Sequence, residues 1–184
     1  MSNSRRLNSA MLTAGCLMAL LLFSSGCRER GGVKIGDPAP VISERDIHGS
    51  DVEMSRFKGK VVLLCFWADS CCGESLKQLE TFYRRNRPRG LELLAIDRGD
   101  SRDAIQSYAN RNGITFIMLA DEQGRSASRY GVFGLPTMYI IDGSGIVREK
   151  ILGAVPLEKL QKLVDRRFKA RQEAEAEYEK IHSR

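Results

Sequence analysis

The stretch Val61–Glu74, which reads VVLLCFWADSCCGE, decides the fold. Its first half is a continuous apolar run, rich in β-branched and aromatic residues, which is typical of a buried parallel strand. The run stops at Asp69 and Ser70, and a helical pattern of polar and apolar residues starts just after the cysteines. We therefore expect Cys71 where a strand passes into a helix, at the positive end of the helix dipole. Free backbone N–H groups stabilise negative charge there, and the thiolate is the nucleophilic form of cysteine.

This stretch resembles the thioredoxin-like superfamily, in particular its envelope-facing branch of TlpA- and ResA-type thiol-disulfide oxidoreductases. That branch has the pattern Phe-Trp-Ala-x-Trp-Cys-x-x-Cys, of which this chain keeps residues 66–68 and Cys71 in register. Ser70 stands in place of the second tryptophan, and Glu74 replaces the second cysteine of the CxxC motif. The sequence Gly-Leu-Pro-Thr at 134–137 resembles the cis-proline loop of the same fold.

The resemblance covers residues 37–168 and implies a thioredoxin-like α/β fold. We expect a mixed central β-sheet flanked by helices, with an N-terminal β-hairpin. Apolar spacing, turn residues and helix caps predict the elements in chain order. They are a hairpin of 41–47 and 51–54, a strand at 61–68, a helix at 71–85, a strand at 91–96, a helix at 101–111, a strand at 116–119, a helical turn at 126–130, a hairpin of 138–141 and 146–152, and a helix from 157 onward.

The replacement at Glu74 affects the chemistry directly. In the resembled enzymes the first cysteine attacks a substrate disulfide, and the second cysteine then attacks the mixed disulfide and releases the reduced product. Positions three residues apart share a helix face, which brings the two sulfurs within bonding reach. A carboxylate cannot resolve a mixed disulfide, and its charge opposes a thiolate at Cys71. The two-thiol cycle therefore cannot run in its usual way.

Three explanations stay open for this site. In the first, Glu74 is a helix-start residue near the third helical position, redox function is lost or reduced, and the fold survives as a binding module. In the second, Cys71 is a lone nucleophile whose adducts are resolved by an external thiol. In the third, another cysteine of the chain is recruited. Cys72 would give a strained disulfide with its neighbour. Cys65 occupies a position that the resemblance places beneath the site and pointing towards Glu74; alternatively it is a small buried core residue.

The substrate side of the site is predicted from the same resemblance. It implies a cis Leu135–Pro136 bond facing Cys71, with the Leu135 backbone free to pair with an extended substrate. A trans proline at a strand entry is the alternative. Trp67 is expected to pack beneath the site. The candidate catalytic residues are therefore Cys71, Cys72 and Glu74, and the candidate substrate-binding residues are Leu135, Pro136 and Trp67.

The N-terminus has the pattern of an export signal. Arg5 and Arg6 precede an apolar stretch at 11–23, and small residues then precede Cys27. We predict a lipoprotein signal peptide at 1–26 and lipidation at Cys27; an uncleaved anchor and an ordinary signal peptide are the alternatives. Residues 27–36 are predicted to be a tether and residues 169–184 a charged helical tail. The expected location is the periplasm-facing cell envelope, as a membrane-anchored lipoprotein or a secreted protein.

Composition excludes other functions. The net charge of +6 is spread along the 184 residues, so we expect no nucleic-acid partner. His48 and His182 are isolated and no Cys/His spacing fits zinc, so we expect neither a metal nor a cofactor. Removal of Cys16 with the signal and lipidation of Cys27 would leave an odd number of thiols.

The leading prediction is a thiol-disulfide oxidoreductase-like lipoprotein of the cell envelope, acting through a single nucleophilic cysteine, Cys71. Its expected partners are protein thiols and disulfides, and the membrane through a lipid anchor; the protein itself is expected to be a monomer. The alternatives are a redox-silent binding module with the same fold and a one-cysteine peroxidase. The threonine and arginine expected around a peroxidatic cysteine are not visible near Cys71.

Overall fold

The computed structural model describes residues 31–42 and 44–183 of the chain. The predicted signal peptide, residues 1–26, and the predicted lipidation site at Cys27 lie outside these ranges. Within them, none of the helices combines the length and the apolar character needed to span a membrane.

A five-stranded mixed sheet forms the centre of the domain. Its strands are β1 (Val61–Trp67), β2 (Leu91–Asp97), β3 (Ile117–Ala120), β4 (Thr137–Ile141) and β5 (Val147–Leu152), arranged in the order β3-β2-β1-β4-β5. The first three strands run parallel to one another, and β4 runs antiparallel to both β1 and β5. The predicted mixed sheet of a thioredoxin-like α/β fold is therefore confirmed.

Four helices surround this sheet: α1 (Asp69–Asn86), α2 (Arg102–Asn112), α3 (Arg125–Tyr130) and α4 (Leu157–His182). Two short 3₁₀ turns, Met54–Phe57 and Arg87–Arg89, complete the regular structure of the described chain. Side chains alternate along β1, so its two faces belong to two different buried clusters. Cys65 and Trp67 lie on the face covered by α1, α2 and α4, together with Cys72 of α1. The sheet therefore directs Cys65 towards the helix that carries the other two thiols.

The N-terminal segment forms the turn of the predicted hairpin but not its strands. Arg45 and Asp51 make an isolated antiparallel bridge, and the carboxylate of Asp46 accepts the N–H groups of His48 at 2.9 Å and Ser50 at 2.8 Å. These side-chain bonds close the turn, and among the described residues a single bridge pair joins the two arms of the hairpin. Asp46 instead makes a second isolated bridge, to β3.

The described part of the predicted tether lies against the domain. The N–H of Gly36 donates to the carbonyl of Val147 at 2.8 Å, and Val33 packs on the buried cluster. Gly32 approaches Gly131 so closely that a Cβ at Gly32 would lie 2.2 Å from the Gly131 Cα. Only a residue without a side chain fits at this contact.

The charged tail continues α4 without a break, so the predicted boundary at residue 168 falls inside a helix. Arg171 attaches the start of the tail to the domain: its guanidinium donates to the carbonyls of Gly59 at 3.2 Å and Arg89 at 2.9 Å. The same guanidinium lies 5.6 Å from the centre of the Phe168 ring, on the ring face. These contacts join the end of the core helix to two loops of the domain.

We predict that Arg171→Ala lowers the free energy of unfolding by about 1 kcal/mol, because two carbonyls lose a charged donor. Urea denaturation of the full chain measures this value. Lys169→Ala is the matched control: Lys169 pairs with Glu173 at 3.7 Å, and its side chain is 78% exposed. A loss in the control variant as large as in Arg171→Ala would contradict the docking role.

Candidate active site

The first turn of α1 separates two neighbouring thiols. Its N-cap is Ala68, whose carbonyl oxygen accepts the N–H groups of Cys71 at 3.3 Å and Cys72 at 3.0 Å. Cys71 is the third residue of the helix and is exposed, with its thiol 3.7 Å from the same carbonyl oxygen. Cys72 is only 4% exposed. Cys71 is therefore open to an incoming disulfide, and Cys72 faces the core.

Glu74 does not cap the helix. The helix begins at Asp69, two residues before the predicted start, so Glu74 lies in the second turn rather than near the third position. Its side chain is 79% exposed and forms an ion pair with Lys77 at 3.0 Å. The explanation of Glu74 as a helix-start residue is wrong, because Cys71 occupies the third position. Glu74 nevertheless remains three residues from Cys71, one helical turn further on.

Cys65 and Cys72 line one small cavity of about 40 Å³, together with Trp67 and Pro136. The expectation that Cys65 points towards Glu74 is wrong, because Glu74 faces solvent and Cys72 occupies the buried side of the helix. Burial raises the pKa of Cys65 to about 12, and the nearby charge of Cys72 adds to that effect. Burial also raises the pKa of Cys72 to about 11, with contributions from the Cys71 side chain. Both buried sulfurs are therefore neutral thiols near pH 7.

The cis-proline loop is present beside this cavity. The Leu135–Pro136 peptide bond is cis, as the resemblance implies. The loop is held by two hydrogen bonds: the Thr137 hydroxyl donates to the Gly134 carbonyl at 2.6 Å, and the Gly153 N–H donates to the Pro136 carbonyl at 2.8 Å. Within the described chain, the backbone groups of Leu135 make no hydrogen bond. Leu135 can therefore offer these groups to an extended peptide.

Two exposed apolar side chains, which sequence reasoning missed, flank this loop. Phe133 is 87% exposed and lies two residues before Leu135. Leu152 is 71% exposed and pairs with Thr137 across the β4–β5 ladder. Large apolar side chains on a surface are a usual mark of a protein-binding patch when they gather around a functional loop. The only sequence signal for Phe133 was its position next to the Gly-Leu-Pro-Thr motif.

Asp97 is a buried carboxyl group that sequence reasoning also missed. It ends β2, pairs in register with Trp67 of β1, and has no exposed surface. One oxygen accepts the N–H of Asp100 at 2.9 Å, and the other has no hydrogen-bond partner in the described structure. Burial raises the pKa of Asp97 to about 7, and the charges of Asp100 and Asp69 contribute. The charge of Asp97 is also the smallest of the causes that raise the pKa of Cys72.

Tyr108 of α2 packs against the N-terminal part of α1. Its hydroxyl donates to the carbonyl of Gly73 at 2.5 Å, and its ring centre lies 4.8 Å from that of Trp67. Trp67 is 1% exposed, so it packs under the site as predicted. Across residues 31–42 and 44–183, no group of three or more His, Cys, Asp or Glu side chains is arranged to hold a metal ion.

The family follows from a comparison with known proteins. The model of the AhpC/TSA family matches residues 35–150, which is more than half of the chain. The chain belongs to the AhpC/TSA family. Among similar proteins, the thiol-disulfide oxidoreductase ResA of Bacillus anthracis is 30% identical over 142 residues, covering 76% of this chain and 82% of the relative. ResA of Geobacillus kaustophilus is 29% identical over 143 residues, which cover 77% of this chain and 82% of the relative.

Solved structures show the same fold. A putative thiol:disulfide interchange protein DsbE from Chlorobium tepidum superimposes with a TM-score of 0.66 at 25% identity, covering 76% of this chain and 99% of that one. A putative thioredoxin from Neisseria meningitidis gives a TM-score of 0.66 at 24% identity, and the match covers 71% of this chain and 89% of the thioredoxin. The second likeness establishes the fold alone. Together they confirm the thioredoxin-like fold.

The raised pKa of Asp97 makes stability depend on pH. The unfolded carboxyl ionises near pH 3.8, whereas the folded one keeps its proton up to about pH 7. The folded state thus binds more protons in this window, and stability falls as pH rises through it. We predict that, as the pH rises from 3.8 to about 7, the free energy of unfolding falls less in Asp97→Asn than in the wild type. Urea denaturation at several pH values in this window measures the free energy of unfolding of both proteins.

The matched control for this pH experiment is Asp103→Asn, since Asp103 is exposed in the first turn of α2. The free energy of unfolding of this variant should change with pH in the same way as that of the wild type. Parallel curves for Asp97→Asn and the wild type would show that Asp97 does not hold a proton in the folded state.

Proposed function

We propose that this AhpC/TSA-family protein is a thiol-disulfide oxidoreductase in which Cys71 is the attacking nucleophile. The observation that carries the proposal is the exposed Cys71 thiol in the first turn of α1, next to a buried thiol and a cis-proline loop. Backbone N–H groups at the start of a helix stabilise a developing thiolate. Similarity to the ResA thiol-disulfide oxidoreductases supports the same reaction.

The substrate is a disulfide carried by another protein. An extended segment of that protein can pair with the free backbone groups of Leu135, as strands pair at a sheet edge. Pro136 shapes the loop and lines the cavity beside Cys72, and Trp67 supports the site from below. Phe133 offers apolar surface to residues that flank the substrate disulfide.

The first half of the reaction needs only Cys71. Its thiolate attacks one sulfur of the substrate disulfide, the S–S bond breaks, and the second substrate sulfur leaves as a thiolate. The product is a mixed disulfide between Cys71 and the substrate. Release requires attack by another thiol, which Glu74 cannot supply because a carboxylate does not carry out thiol–disulfide exchange.

The proposed location is the cell envelope, facing the periplasm. The basic residues Arg5 and Arg6, the apolar stretch 11–23 and the small residues before Cys27 support an export signal and a lipid anchor at Cys27. An oxidising compartment suits a protein that exchanges disulfides with other proteins. A monomer and a secreted form without the lipid anchor are both compatible with this proposal.

A redox-silent binding module is the second candidate function, and the replacement at Glu74 favours it. In that case the loop around Leu135 and Phe133 binds an extended segment and no disulfide is exchanged. The two candidates differ in one property, namely whether Cys71 forms covalent adducts with substrate disulfides.

We predict that Cys71→Ser lowers the rate of insulin disulfide reduction, with dithiothreitol as the reductant, by roughly a hundredfold or more, because the nucleophile is lost. Ser70→Ala, which changes an exposed neighbour in the same turn, should keep the wild-type rate. Equal rates for wild type and Cys71→Ser would support the silent module, as would a wild type without activity.

We predict that Glu74→Cys raises the same rate about tenfold or more, because a second thiol one turn away resolves the mixed disulfide within the molecule. Glu74→Gln is the matched control, since it removes the charge without adding a sulfur. The ion pair with Lys77 is exposed and contributes little to stability, so both variants should fold. If both variants raise the reduction rate equally, the loss of the Glu74 charge explains the increase, and the prediction of a resolving thiol is contradicted.

A further inference from the structure

We propose that Cys72 and Cys65 form a second redox pair behind Cys71, which takes over the disulfide that Cys71 receives from a substrate. This inference rests on the proposed thiol-disulfide exchange at Cys71. It supplies the second sulfur that the replacement at Glu74 removes. Nothing in the CxxC pattern of the resembled branch predicts it, because neither residue occupies the position of the second cysteine.

Three sulfurs lead from the surface to the core. Cys71 is exposed, while Cys72 follows it on the buried side of α1 and is 4% exposed. The Cys71 side chain is near enough to Cys72 to help raise the pKa of Cys72. Cys65 lies on the facing side of β1, is 2% exposed, and is close enough to Cys72 for their charges to interact.

The cavity shared by Cys72 and Cys65 gives these thiols room to meet. Its volume of about 40 Å³ exceeds the 10–15 Å³ or so that a single water-sized sphere requires. In a close-packed interior, side chains rotate only where such space exists. Trp67, Met138 and Leu160 also line this cavity, as do the polar residues Ser75 and Gln78.

The transfer takes place in two exchanges after the Cys71 mixed disulfide has formed. First, the Cys72 sulfur attacks the Cys71 sulfur, the bond to the substrate breaks, and the substrate leaves as a thiolate. Second, the Cys65 sulfur attacks the Cys72 sulfur, and Cys71 leaves as a thiolate. Overall, one substrate disulfide is reduced to two thiols, and the thiols of Cys65 and Cys72 are oxidised to one disulfide. Their two protons pass to the two substrate thiolates, so atoms and electrons balance.

Charge favours this direction of transfer. In the resting site burial keeps Cys72 protonated, and the Cys71 side chain adds to this effect. The Cys71 sulfur carries no charge once it is part of a mixed disulfide, so Cys71 then no longer disfavours a thiolate at Cys72.

Strain favours the second exchange. A disulfide between the adjacent residues Cys71 and Cys72 distorts the peptide that links them, and strained disulfides are reduced easily. Cys65 lines the same cavity as Cys72, so it is the neighbouring thiol that can attack the Cys72 sulfur. The exchange restores Cys71 as a free thiol at the surface. An external dithiol then reduces the Cys65–Cys72 disulfide before the next cycle.

The test is a single turnover of the full chain, carrying Cys16→Ser and Cys27→Ser, with one equivalent of the disulfide 5,5′-dithiobis(2-nitrobenzoate). The amount of coloured thiol released is measured by absorbance, and the remaining free thiols are then blocked with iodoacetamide. Chymotrypsin cuts after Phe66 and Trp67, which separates the peptide of Cys65 from that of Cys71 and Cys72 unless a disulfide joins them. We expect release of a second equivalent of coloured thiol, a Cys65–Cys72 disulfide by fragmentation mass spectrometry, and Cys71 blocked by iodoacetamide.

Variants separate this inference from the function on which it rests. Cys65→Ala should still release both equivalents of coloured thiol but stop at the Cys71–Cys72 disulfide, which leaves Cys71 unavailable to iodoacetamide. Val62→Ala, a truncation on the opposite face of β1, should behave like the wild type. A wild-type protein that keeps the nitrobenzoate on Cys71 overturns the second redox pair and leaves the proposed function intact. A wild-type protein in which Cys71 forms no adduct overturns the proposed function as well.

Discussion

The carbonyl oxygen of Ala68 is the contact on which the site depends. It accepts the N–H groups of both Cys71 and Cys72, and so fixes the first turn of α1 directly after the central strand. Successive residues of a helix point about 100° apart, so this turn directs one thiol to solvent and the next to the core. Strand β1, buried on both faces and paired on both sides, holds Ala68 in place.

In the proposed mechanism, the loss of the second motif cysteine moves the second step of the exchange to buried cysteines. Outside, Cys71 and the backbone of Leu135 are available to a substrate. Inside, Cys72, Cys65 and Asp97 are buried groups whose neutral forms are favoured, because burial penalises each charge. In the proposed mechanism, the exposed groups bind the partner and the buried cysteines hold the disulfide that results from the exchange.

Local patterns predicted the strand at 61–68, observed at Val61–Trp67, because it is a continuous apolar run. The family resemblance implied the mixed sheet and the cis-proline bond, and both are present. The helix start was predicted two residues late, since Asp69 and Ser70 are common both in loops and in the first turn of a helix. That error placed Glu74 near the third helical position. Asp97 could not be found, because its position beside Trp67 depends on the register between two strands.

Labelling of the native protein with iodoacetamide, mapped by mass spectrometry for each cysteine, tests the central claim most directly. The claim is that one turn of helix exposes Cys71 and buries Cys72. We predict rapid modification of Cys71, with Cys72 and Cys65 protected until the protein is unfolded. Modification of Cys72 as fast as Cys71 in the native protein, or protection of Cys71, would contradict it.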